Sequence, residues 1–244
     1  MTRVEVLVGD DRRVTEVAPG ESWLAAARRT TPGPHDPVAV DLSGEVKRFA
    51  VDPDLVVAVR PMTYGDLPDV VAWRAAPHVL RWWDADLPDL EAATAKYGSR
   101  IDGASRTSMW VWEVNGRSVG FAQDYRIRDY PDHALLVPDP DATGVDYLIG
   151  RAEWVGRGVG TRCLWAWVLH LRARRVDATA AFAAPDHRNR ASLRALAKVG
   201  FVEGLWFDEP QADGSVDTVV GCTLDLATVI GDVAPCHNSV AGSF

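Results

Sequence analysis

Three glycines at alternate positions give the chain its clearest chemical signature. They lie in Val155-Gly156-Arg157-Gly158-Val159-Gly160-Thr161, after an apolar strand-like stretch, Val145 to Ile149, and before a helix-forming segment that begins Arg162-Cys163-Leu164-Trp165. Strand, glycine turn and helix make a phosphate cradle. Glycine lets the backbone approach an anion without a Cβ clash, and the free N–H groups of the first helical turn point at it. Arg157 adds a cation. The loop is not a Walker loop, which ends in Gly-Lys-Ser/Thr. It also lacks the wider last spacing of a dinucleotide fingerprint and comes too late in the chain for one. On the residues alone, an ordinary strand-to-helix turn remains the alternative. His78, His133, His170 and His187 show no ligand spacing, nor do Cys163, Cys222 and Cys236, so no metal is expected.

The elements around this loop must fit within 244 residues, enough for one large domain with an appendage. A formal net charge of −8 argues against a nucleic-acid backbone as partner and permits a cationic small molecule. No apolar run is long enough to span a bilayer, and Met1-Thr2-Arg3-Val4-Glu5 does not open a signal peptide. Three scattered cysteines fit a reducing cytoplasm.

Residues 1–54 form a β-rich extension in this reading. Val4–Val8 and Arg13–Val17 flank Gly9-Asp10-Asp11 as a hairpin, Glu21 to Arg29 is a short helix, and a second hairpin turns at Ser43-Gly44. The extension is too small to hold a large core, so it is expected to pack on the main domain or on the second subunit of a homodimer. The main domain spans 55–231, and 232–244 is a loose tail. Within the domain, Val56 to Arg60 reads as a strand, followed by a helix through Trp73 and another over Leu90 to Ile101. Asn115-Gly116 joins two strands in a hairpin, and the proline- and aspartate-rich Asp129 to Thr143 is a loop. Strand 145–149, the glycine loop, a helix to about Arg175, strand 178–183, helix 189–199 capped by Gly200 and a final strand 219–226 complete the order.

That order resembles the GNAT acetyltransferase superfamily. Asn189-Arg190-Ala191-Ser192-Leu193 through Gly200-Phe201 is similar to its asparagine-to-Gly-Phe segment, and the Arg157-Gly158 loop to its pyrophosphate loop. Within the superfamily the chain resembles the aminoglycoside 6′-N-acetyltransferases. The matching residues are His78-Val79-Leu80-Arg81-Trp82-Trp83, Gly120-Phe121-Ala122-Gln123-Asp124-Tyr125 and Asp139-Pro140-x-x-x-Gly144-Val145-Asp146. The likeness runs from about Val57 to Leu224 and does not reach the extension. It implies an α/β (α+β) GNAT fold, a mixed central sheet with splayed strands flanked by helices.

The resemblance also implies an antibiotic-resistance enzyme that moves an acetyl group from acetyl-CoA to the 6′-amine of an aminoglycoside. The backbone of Tyr147, Leu148 and Ile149 would pair with the pantetheine arm as an added strand. Gly156, Arg157, Gly158, Val159, Gly160 and Thr161 would hold the pyrophosphate. Asn189 would lie near the arm, and it also reads as a helix N-cap. Asp146 resembles the family's proposed catalytic aspartate: a protonated amine has no lone pair, and a carboxylate can take its proton directly or through water. Trp83, Tyr97 and Asp213 correspond to substrate-side positions of the family, and Gln123 with the loop aspartates Asp129, Asp132 and Asp139 is expected on the substrate side as well, because clustered carboxylates suit a polycation. Two positions depart from the pattern. Ala184 stands where the family carries an aspartate, and Leu196 where a tyrosine often protonates the leaving thiolate.

Two rivals stay open. Pro185-Asp186-His187-Arg188-Asn189 is similar to a motif of siderophore-type lysine or hydroxylysine N-acyltransferases, which carry histidine where Asp146 stands. A non-catalytic acyl-CoA-binding module is the other.

Overall fold

A computed structural model of the chain describes residues 2–8, 11–19, 21, 23–30, 38–41, 47–50, 55–83, 87–134, 137, 139–175, 177–210 and 214–230. The N-terminal part holds β1 (Thr2–Val8), β2 (Asp11–Val17), α1 (Trp23–Thr30), β3 (Val38–Asp41) and β4 (Lys47–Ala50). Next come β5 (Val56–Pro61), α2 (Leu67–Arg74), α3 (Pro77–Leu80), α4 (Leu90–Ile101), β6 (Ser108–Val114), β7 (Arg117–Arg126) and α5 (Pro131–Ala134). The rest is β8 (Thr143–Ile149), α6 (Val159–Arg174), β9 (Ala180–Ala183), α7 (Arg190–Val199), β10 (Val202–Pro210), β11 (Val216–Asp225) and α8 (Leu226–Ile230).

All eleven strands join one sheet in the order β10-β11-β9-β8-β7-β6-β5-β4-β3-β1-β2. Every neighbouring pair is antiparallel except β8 with β9. Asn115 at φ 49° and Gly116 at φ 77° make the tight turn expected between β6 and β7. The sheet does not stop at the main domain. β4 pairs with β5 from Lys47↔Val59 to Ala50↔Val56, so the N-terminal strands continue the same ladder. The Ser43-Gly44 turn and the tail from Gly231 lie outside the described residues.

The splay expected of the central strands is present. β8 and β9 pair only at Thr143↔Ala181 and Gly144↔Phe182, and from Val145 onward the far edge of β8 has no β9 partner. β9 ends at Ala183, and Pro185 has no N–H to extend the ladder.

Side chains along β8 alternate between two cores. Val145, Tyr147 and Ile149 pack with Trp112, Leu164, Trp167 and Leu196 on the face covered by α6 and α7. Leu148 packs with Trp73, Tyr97, Val111 and Phe121 on the face covered by α2 and α4. That period-two alternation separates the chemistry described next.

Four elements were not anticipated: the short helices α3, α5 (inside the stretch read as a loop) and α8, and the strand β10. The sequence reads as a single final strand, whereas the structure has the β10–β11 hairpin. β10 contains Gly204, ends on Pro210, shifts register between Glu203 and Trp206 and exposes Val202, Leu205 and Trp206. It shows neither the alternation nor the composition that marks a strand.

Candidate active site

The glycine loop is folded as a cradle. Gly156 and Gly158 both occupy the left-handed region, at φ 76° and 75°, and Gly158 caps α6. A Cβ on Gly158 would meet only the movable end of Arg162, 2.6 Å away, so it is the left-handed backbone rather than space that disfavours a side chain there. α6 runs 16 residues, and its first-turn N–H groups face a cleft of about 610 Å³. The loop, the β8 edge at Tyr147 to Ile149, and α7 line that cleft. An unpaired strand edge followed by a helix N-terminus suits a long donor with a peptide-like arm and phosphates, and these residues fit acetyl-CoA. The Ile149 carbonyl already accepts a hydrogen bond from His78 Nε2 at 2.9 Å.

A second cleft, of about 480 Å³, adjoins the first, and Arg81, Trp82, Trp83, Tyr147, Asn189 and Ser192 line both. Asp146 lies in this second cleft, on the α4 side of β8. Gln123 Nε2 donates to Asp146 Oδ2 at 2.8 Å across the Gln123↔Asp146 register pair. Arg100, from α4, donates to the other end of the same amide, Gln123 Oε1. A guanidinium only donates, so this contact fixes which way the amide points. The opposite wall is acidic, formed by Asp186, Glu209 and Asp217. Arg188 donates to both carboxylate oxygens of Asp186, at 2.9 and 2.6 Å, and holds that carboxyl below the ordinary carboxylate value. Burial first, and then the Asp146 and Glu209 charges, raise the nearby Tyr125 hydroxyl well above its ordinary value. On the α7 side, the Tyr147 and Ser192 hydroxyls are 2.6 Å apart, and burial pushes the phenol strongly upward.

A family model for the acetyltransferase (GNAT) domain matches residues 63–208, the segment that carries the loop, Asp146 and the lining of the first cleft. The chain belongs to the GNAT acetyltransferase family. Among relatives of this GNAT chain is the aminoglycoside N(6′)-acetyltransferase type 1 of Klebsiella pneumoniae. It is 27% identical over 148 residues, spanning 59% of this chain and 73% of the relative. The protein of the same name from Serratia marcescens matches equally. A crystal structure of aminoglycoside acetyltransferase AAC(6′)-Ib with coenzyme A superimposes with a TM-score of 0.60 at 25% identity, covering 69% of this chain and 94% of that one. The same enzyme with coenzyme A and kanamycin gives 0.59 at the same coverage.

The GNAT fold gathers most, but not all, of the residues singled out by sequence. Tyr147, Leu148, Ile149, Gly156, Gly158, Gly160, Thr161 and Asn189 line the first cleft. Val159 is turned into the core, and Arg157 stacks on Trp154 with its guanidinium 5.4 Å from the ring. Asn189 does cap α7, accepting from the Ser192 N–H at 3.1 Å. Trp83, Tyr97 and Gln123 line the second cleft. Tyr97 is fully buried and accepts from Arg74 at 2.9 Å, so it forms floor more than wall.

The loop aspartates are elsewhere. Asp129 stands 3.8 Å from Arg106, Asp139 accepts from the Asp141 N–H at 2.9 Å, and neither lines the cleft. The side chain of Asp132 and the whole of Asp213 lie outside what is described. Leu196 is fully buried, and no acid stands at that position. The sequence reading missed Arg100, Ser192, Glu209 and Asp217. The structure makes the last two direct cross-strand partners, and no sequence signal marked them, because β10 does not read as a strand. No group of ligand-type side chains that could hold a metal lies among the described residues, and no described helix is long and apolar enough to cross a membrane.

Proposed function

We propose that this chain acetylates the 6′-amino group of aminoglycosides from acetyl-CoA in the cytoplasm, with Asp146 as the proton acceptor. One observation carries the reading: successive β8 side chains, Asp146 and Tyr147, face two adjoining clefts, one that holds Asp146 opposite Glu209 and Asp217, with Arg74, Arg81, Lys96 and Arg100 also on its walls, and one ending in a phosphate cradle. The named activity of the Klebsiella and Serratia relatives supports the substrate.

Bound acetyl-CoA would supply an activated acetyl thioester, held by the loop glycines, Thr161 and the β8 edge. The chain's own residues do the rest. Glu209 and Asp217 attract a polycation and hold its other ammonium groups, while Asp186 stays paired with Arg188. Gln123, itself held by Arg100, orients the Asp146 carboxylate. Asp146 takes a proton from the attacking ammonium, which frees the nitrogen lone pair to form the C–N bond. The Tyr147–Ser192 hydroxyl pair sits on the wall shared by both clefts and keeps its protons. It can donate a hydrogen bond to the departing sulfur, which takes its proton from solvent, since no acid stands at Leu196.

Thiol release with a panel of amines tests the reading. Turnover is expected with kanamycin-like substrates and not with hydroxylysine. Asp146→Asn should lower kcat/KM by about 10²-fold or more while leaving the calorimetric affinity for coenzyme A unchanged. Absence of turnover with every 6′-amino aminoglycoside would reject it.

A further inference from the structure

α7 carries Arg190, Arg194 and Lys198 at successive turns and contains no acidic residue. All three are exposed and line the first cleft, on the wall that faces the glycine loop. None has a side-chain hydrogen bond or ion pair among the described residues. Many of the other arginines are tied to carboxylates. Arg60 pairs with Asp66, Arg126 with Asp177, Arg128 with Asp141, and Arg174 with Asp124. Arg188, at the entrance to α7, is held by Asp186 and Asp217.

The α7 arrangement works against the helix itself. Like charges four residues apart repel along a helix face, and Arg190 in the first turn opposes the macrodipole. Among the described residues, nothing offsets this. An anion in the cleft would. The α6 N-terminus and its glycines already provide for one anionic group. A second set of cations on the opposite wall calls for a second, separate anionic group on the same ligand.

We infer that Arg190, Arg194 and Lys198 form a binding site for the ribose 3′-phosphomonoester of the acyl donor, so that the protein discriminates coenzyme A from its 3′-dephospho form. This rests on the acetyl-CoA reading above. A phosphomonoester near neutral pH carries close to two charges and three acceptor oxygens, which suits converging long cationic side chains.

Isothermal titration calorimetry of the full chain with coenzyme A and with 3′-dephospho-coenzyme A tests this. The wild type is expected to bind coenzyme A about tenfold tighter or more, with the gap narrowing as salt rises. The double variant Arg194→Gln, Lys198→Gln should lose that preference while its affinity for the dephospho form stays the same. Arg194→Lys, which keeps the charge, should retain most of it. The double variant's thermal midpoint should hold or rise, because two like charges leave one face. Equal wild-type affinity for the two ligands would overturn the inference and leave the donor assignment standing; that is also the result expected if the stripe serves an acidic carrier protein. A double variant that weakens both ligands alike would overturn it as well. Binding of neither ligand would overturn the donor assignment, and this site with it.

Discussion

At the scale of single residues, the site depends on how one carboxylate is held. Gln123 has two ends and two different partners, a guanidinium on its oxygen and a carboxylate on its nitrogen. Remove Arg100 and the amide loses the contact that fixes its orientation; remove the amide and Asp146 loses a donor. A hydrogen bond to a charged group contributes about 1.5–3 kcal/mol, and Gln123→Leu is therefore expected to lower kcat/KM by about 10–100-fold. Arg100→Gln should act in the same direction but more weakly, because the Gln123 amide can still find Asp146. Steady-state kinetics with one aminoglycoside checks both, and a Gln123→Leu enzyme with unchanged kcat/KM would rule out the amide's role in orienting the base. The hydroxyl pair allows a separate measurement. Tyr147→Phe removes one hydrogen-bond donor without changing the ring that packs on Trp112, whose centroid is 5.7 Å away. It should depress kcat and leave the affinity for coenzyme A unchanged.

At the scale of elements, the joint between β5 and α2 shows how the first wall of the site is anchored. Asp66 accepts from both Arg60 terminal nitrogens at 2.8 and 2.7 Å, and from the Thr63 N–H and hydroxyl at 2.9 Å each. Arg60 also donates to Glu113 on β6 at 2.7 Å. Burial raises the Asp66 carboxyl, but Arg60 and Thr63 outweigh it, and its value ends below that of a free aspartate. A folded-state value below the unfolded one gives stability that is fully present above about pH 4 and lost as pH falls through the folded value. Asp66→Asn should cost about 1–3 kcal/mol in urea unfolding at pH 7, and the gap to wild type should shrink at pH 3. An equal gap at both pH values would rule out an ionised Asp66 as the source. Legibility in the sequence follows the same local logic. The Asn115-Gly116 turn and the Gly200 stop were readable because each is set by a few adjacent residues. Asp146 and the loop glycines were readable because they sit in one continuous motif. The acidic wall was not. The loop offered the densest run of aspartates, yet Asp129 and Asp141 pair with arginines and Asp139 accepts from a local N–H group, as short acidic side chains commonly do. Glu209 and Asp217, the cleft carboxylates to which the proposed function gives the cation, come instead from opposite arms of a hairpin whose first arm does not read as a strand.

At the scale of the whole molecule, the sheet divides the work along its length. Every residue lining either cleft falls between Arg74 and Val219, at the β8–β9–β11 end, while β1 to β4 extend the far end past β5. The β5 edge that β4 covers is apolar and sealed: Val57 and Val59 are fully buried. Contacts from α6 also reach β4, so the N-terminal strands share the helix that carries the glycine cradle. Cutting the chain before Leu55 would bare a row of unpaired N–H and C=O groups on β5, an edge open to pairing with other chains. The truncated protein is expected to unfold several degrees lower than the full chain and to show concentration-dependent association by light scattering. Its affinity for coenzyme A, and its kcat/KM per folded molecule, should stay within about twofold, because none of the cleft residues is removed. A truncation that keeps its melting temperature and stays monodisperse would mean that β4 adds nothing to β5. A truncation that folds normally but no longer turns over would move the N-terminal strands from support to participation, and the division of labour along the sheet would have to be abandoned.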